Sequence, residues 1–290
     1  MNAATILGLC VKISLFLVVL SFGLQATLNS VLYLIRRPVQ LLKAVISMNV
    51  IMPIFAILVV ELFNLNRDVE IALVAFAVSP VPPLFPGKAI KSGSGKAYAF
   101  GLLAAISILS VFVIPLTFKI IDAVFARHGK FSLAAIMTTI LTGVFIPLGI
   151  GIGVRHFAPR LAESLAGPLG KIGMILIVVA FLPVLFALMP VMWSLIGNGT
   201  ILAIVAFTLV GIFAGHTLGG PDPSNKRILA VATAARHPAI AISLATSNVV
   251  TEEARTAMAA VILYVLVASI LTTVYLTWRV GQDAAREEPV

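Results

Sequence analysis

Lys88, Lys91, Arg236 and His237 are the residues whose types and positions point to chemistry. The two lysines follow a run of prolines, Pro80, Pro82, Pro83 and Pro86, closed by Gly87, and Arg236 and His237 stand directly before Pro238 inside an otherwise apolar stretch. A guanidinium presents a planar fork of donors that fits a carboxylate or sulfonate at two points, and an ammonium is a compact point charge. An imidazole changes charge near neutral pH, so His237 could carry a proton. Together these groups would recognise an anion, with Gly87 and Pro238 completing the candidate substrate-binding set at the two breaks. Each also has a plainer reading. The lysines could be long side chains reaching toward water. Arg236 could bond the carbonyls of a broken helix, and His237 could cap loose backbone groups while neutral.

Little else in the chain offers chemistry. His128, His156 and His216 lie singly, without metal-ligand spacing, and the one cysteine, Cys10, excludes a disulfide framework and every cysteine-based metal site. No paired carboxylates and no nucleophile with a base appear. Ser92 to Lys96 resembles a phosphate loop only superficially, because the first glycine and the hydroxyl residue after the lysine are missing. No catalytic residue, metal ligand or cofactor site is expected, and an enzyme is not.

The elements that must position the four basic residues are membrane spans. Of 290 residues 60% are apolar, against 20 Lys and Arg and 11 Asp and Glu, far from the make-up of a soluble domain. Apolar stretches fall near 5–29, 39–63, 69–90, 97–118, 133–154, 168–189, 200–218, 228–248 and 256–278, giving nine spans with short links. The formal charge of +9 follows from basic residues in those links, so no nucleic-acid role is assigned. One set of span ends holds twelve Lys and Arg and the other five. That imbalance places the N-terminus outside and the C-terminus in the cytoplasm, in a plasma membrane or bacterial inner membrane. The first stretch lacks a basic leader and is interrupted by Lys12, which reads as a span rather than a cleaved signal.

Two spans are interrupted. Four prolines within seven positions end any helix crossing 80–86, because each removes a donor and obstructs the preceding turn. The eighth span carries Arg236-His237-Pro238 roughly eight residues, about 12 Å, from its nearer end. These spans lie five apart and so run in opposite directions, the arrangement of an inverted repeat whose substrate site sits where two discontinuous helices cross.

The residues also resemble the bile acid:sodium symporter family. Gly23-Leu24, then Arg36-Arg37-Pro38, then Met52-Pro53 match that family's opening pattern. The proline-rich break at 80–87 falls at its first crossing helix, and the run from Ile240 to Ala245 follows its second. The resemblance implies one transporter domain over 1–290, with panel helices near 5–63 and 133–189 and core helices near 69–118 and 200–278. An elevator-like movement of core against panel would go with it. It also implies departures at the family's sodium ligands, whose positions fall on Lys88, Ala232, Arg236 and His237, with Phe100, Ala104 and Met48 at the remaining ones. Sodium needs oxygen ligands that include negative charge, yet the acidic residues all lie at span ends or in links.

A charge at membrane depth costs on the order of 3 kcal/mol or more unless paired or wet. The expectation is therefore an all-α secondary transporter of small organic anions, sodium-independent, with Lys88 and Arg236 standing in for the sodium ions. A proton- or sodium-coupled symporter, a non-transporting anion receptor and an anion channel are the alternatives. The expected partners are the small organic anion, the lipid bilayer and, in the coupled alternative, protons; the oligomeric state is left open.

Overall fold

The computed structural model describes residues 3–82, 95–125, 137–138, 140–245 and 251–287, and every element in them is helical. Helix α1 (Ala3–Gln25) and the single turn α2 (Leu28–Val31) lead to α3 (Pro38–Val45) and α4 (Met52–Leu62), joined into one rod by a π-helical segment, Ile46–Ile51. Then come α5 (Arg67–Val78), α6 (Lys96–Phe125), and α7 (Ile146–Phe157), which follows a second π-helical segment, Leu141–Phe145. The chain continues through α8 (Pro159–Leu195), α9 (Thr200–Leu218), α10 (Pro223–Ala234), α11 (Pro238–Ala245) and α12 (Thr251–Glu287).

Among the described residues, seven helical stretches are long and apolar enough to cross a membrane: Gly8–Gln25, Pro38–Leu62, Lys96–Thr117, Pro159–Leu195, Thr200–Leu218, Pro223–Ala245 and Ala254–Gln282. The expected spans near 69–90 and 133–154 lie only partly within the described residues. Large apolar side chains face outward along these helices, Phe112, Phe186, Phe213 and Ile270 being 63–70% exposed. In water such a surface would drive association, whereas in a bilayer it meets acyl chains. The chain is an all-α, multi-pass membrane protein.

Local sequence sets where the helices begin. Asn66 caps α5 by accepting from the Asp68 N–H at 3.0 Å, with Asp68 and Glu70 in the positive first turn. Asp222 caps α10 by accepting from the Ser224 N–H at 2.7 Å, and Pro223 fills the first helical position, where no donor is needed. Prolines 38 and 159 open α3 and α8 in the same way.

Both π-helical segments have a proline as their cause. Pro53 and Pro147 have no N–H for the carbonyl four residues earlier, and their rings press on it, so the backbone just ahead winds wider.

Two packing groups follow from small residues. Helix α1 lies against α7 and α8, so closely that a Cβ on Gly23 would sit 2.6 Å from the Leu148 oxygen and one on Gly151 2.6 Å from the Leu20 oxygen. Ser21 of α1 also donates to the Ala166 carbonyl of α8 at 2.7 Å. On the other side α9 lies on α10, where a Cβ on Gly215 would sit 2.5 Å from Ala230 Cα. Next to them Tyr264 of α12 stacks on Phe76 of α5 at 3.9 Å between ring centres and meets Phe207 of α9 edge-on at 5.6 Å.

Candidate functional site

The site grows out of carbonyl groups that proline leaves without donors. Helix α5 stops at Val78, and Ser79, Pro80, Val81 and Pro82 continue as non-helical backbone. Had the helix continued, the donors due to the Val78 and Ser79 carbonyls would be residues 82 and 83, both prolines. Helix α10 stops at Ala234 and α11 begins at Pro238. The two interruptions meet: the His237 N–H donates to the Pro80 carbonyl at 2.9 Å.

Arg236 fills this junction. It is buried, 2% exposed, and its terminal nitrogens donate to the Ser79 carbonyl at 3.0 Å and to the Met48 carbonyl of the first π-helical segment. In π-helical winding the donor due to Met48 is residue 53, a proline, so the guanidinium supplies the missing hydrogen bond. Ser47 beside it bonds Thr233 of α10 through their hydroxyl groups at 2.8 Å. The hydroxyl of Tyr264 donates to the carbonyl of Ala234, the last residue of α10. The guanidinium thus sits between the C-terminal ends of α5 and α10, where helix dipoles place partial negative charge.

His237, 3% exposed, acts at the opposite kind of end. Its Nδ1 accepts from the Ile240 N–H at 3.4 Å and its carbonyl from the Ala241 N–H at 3.0 Å, so it opens α11, with Pro238 as the first helical residue. An accepting Nδ1 assigns the ring hydrogen of the neutral imidazole to Nε2. One buried polar atom at this junction, Arg236 Nε, finds no hydrogen-bond partner among the described residues.

Residues 12–189 match the family described as Sodium Bile acid symporter family. The chain belongs to that family. Its members are transporters and not enzymes, and neither is this chain an enzyme. Among curated proteins none matches the chain. The matched stretch runs from α1 into α8 and takes in the break after α5, while Arg236 and His237 lie beyond it.

Of the expected site residues, the structure brings Arg236, His237 and Pro238 to one junction. Lys88, Lys91 and Gly87 lie outside the described residues. Of the positions that the resemblance aligned with symporter sodium ligands, four are apolar and closed: Ala232 is fully buried, as is Met48, and Phe100 and Ala104 are 4% and 3% exposed. Among the described residues no three His, Cys, Asp or Glu side chains come together as a metal site. Sequence reasoning missed Ser47, the Met48 carbonyl, Ser79, Thr233 and Tyr264. Pro53 was the available signal for the first two, since a proline within a span exposes carbonyls ahead of it.

Proposed function

We propose that this protein is a secondary transporter of organic anions that works by alternating access without sodium, Arg236 and Lys88 holding the positive charge that sodium ions supply elsewhere. The arrangement of Arg236 carries the reading. In transporters built from discontinuous helices, unwound carbonyls and half-helix C-terminal ends coordinate the coupling cation. Here a guanidinium donates to two such carbonyls, Ser79 and Met48, and no carboxylate is among its described contacts. Its unpartnered Nε–H is left for a substrate anion, with Lys88 and Lys91 after the first break as the second point of attachment and Gly87 and Pro238 shaping the backbone at the two breaks. The interrupted spans act as the crossed pair of an inverted repeat.

The bonds from Ser47 and Met48 to Thr233 and Arg236 tie 38–62 to the crossing, so this segment travels with the core. The static panel is then α1, α7 and α8, packed on one another through Gly23 and Gly151. Proton coupling is a second reading, favoured by the buried imidazole of His237 next to Arg236.

The test is uptake of labelled organic anions into proteoliposomes with sodium or potassium outside, at two pH values. Equal uptake in both salts is expected, and acid stimulation abolished by His237→Gln would select the proton-coupled form. Strict dependence on sodium would overturn the proposal.

A further inference from the structure

A second group of basic side chains lies at the opposite end of α9 from its Gly199 start and at the opposite end of α10 from the crossing. His216 comes from the last turn of α9, Lys226 and Arg227 from the first turns of α10, and Tyr275 and Arg279 from the last third of α12. They converge: Lys226 and Arg279 are both within electrostatic reach of His216, and Arg227 and Arg279 of Tyr275. The hydrogen bonds fix their roles. A guanidinium only donates, so His216 Nε2 accepts from Arg279, and His216 Nδ1 carries the ring hydrogen that bonds the Tyr275 oxygen at 2.6 Å. Arg279 donates on its other side to Gln282 Oε1 at 2.8 Å. It is therefore a fixed guanidinium with further N–H groups to offer.

Among the described side chains, no carboxylate pairs with Arg279 or Lys226. Asp222, at the start of α10, is occupied in accepting from the Ser224 and Asn225 N–H groups, and Lys226 has no ion pair among the described residues. The depth of the cluster is marked by Trp278, 57% exposed, with the Arg279 guanidinium 5.2 Å from its ring centre. An outward tryptophan beside cations at a span end belongs to the bilayer boundary, at headgroup level.

We propose that the ends of α9 and α12 and the start of α10 form a binding site for the phosphodiester headgroup of an anionic membrane lipid. Basic pockets between spans bind such headgroups. Arg279 offers a pre-positioned fork and Lys226 a neighbouring point charge, the combination that holds a phosphate.

Native mass spectrometry of the whole protein released from micelles containing phosphatidylglycerol, phosphatidylcholine, or phosphatidylglycerol with inorganic phosphate tests this. Retention of phosphatidylglycerol alone is expected, falling roughly fivefold for each cation removed in Lys226→Gln and Arg279→Gln. Arg155→Gln, which loses a half-buried cation paired with Glu163, is expected to bind as the parent does. Lys226→Gln carries the test even if Arg279→Gln disturbs folding, because the Lys226 ammonium makes no hydrogen bond among the described residues. Unchanged retention in Lys226→Gln overturns the proposal. So does equal retention of phosphatidylcholine, or displacement of the lipid by inorganic phosphate, which would make this a site for free anions.

Discussion

A single guanidinium bridges three segments that the chain brings together from positions 48, 79 and 236. Replacing it tests both its structural and its transport role. Arg236→Met removes a buried charge but leaves the Ser79 and Met48 carbonyls without their donor, at about 1–3 kcal/mol each. We expect a lower unfolding temperature by intrinsic fluorescence and no anion uptake. Arg236→Lys keeps the charge and loses the fork, so stability should return in part, and wild-type stability in Arg236→Met would refute the bridging role. The bond between Ser47 and Thr233 is a separate link. A double-mutant cycle of Ser47→Ala and Thr233→Val should give a coupling of about 1 kcal/mol in thermal or denaturant unfolding. His237→Gln removes the Nδ1 acceptor of Ile240, and a Gln oxygen can replace it, so this variant should fold. Arg236 and His237 were readable as candidates because charge is so rare in an apolar span. Their carbonyl partners were not, since sequence does not say which orphaned acceptor meets which donor across 157 or 188 residues.

Prolines 80 to 86 and Pro238 announced where helices stop, and α5 and α10 end at Val78 and Ala234, within a turn or two of them. The span near 168–189 proved to be part of a much longer element, the 37-residue α8, which runs through Pro168, Pro183 and Pro190. At 1.5 Å per residue it is about 55 Å long, well beyond the roughly 30 Å hydrocarbon layer, so it tilts or projects. Isolated prolines are tolerated in membrane helices where neighbours meet the freed groups, whereas clustered ones are not. Gly149, Gly151 and Gly153 alternate along α7, and only the structure separates the contacting from the free ones. A Cβ on Gly151 would overlap α1, while one on Gly149 or Gly153 meets nothing within 4 Å. Gly151→Leu should therefore markedly lower the unfolding temperature, and Gly149→Ala should leave it unchanged. Equal behaviour of the two would show that α1 and α7 do not pack as described.

In the proposed division of the molecule, α1, α7 and α8, joined through small residues and the Ser21 bond, form one part and the elements gathered on the crossing the other. The proposed movement shears the boundary between them. A cysteine pair engineered across that boundary, once oxidised, should stop anion uptake, while a pair within the α1–α8 contact should not. The hydroxyl bond from Ser47 and the guanidinium bond to Met48 also carry an electrical consequence. A sodium ion leaves the protein after each crossing, but Arg236 is part of the chain and goes back with it. With Arg236 and Lys88 both moving, a divalent anion would leave the loaded part nearly neutral, and the empty part would carry two positive charges through the field. At about 2.3 kcal/mol per charge per 100 mV, membrane voltage would then act on the return of the empty carrier. Exchange of one anion for another would be indifferent to voltage, and net flux would not.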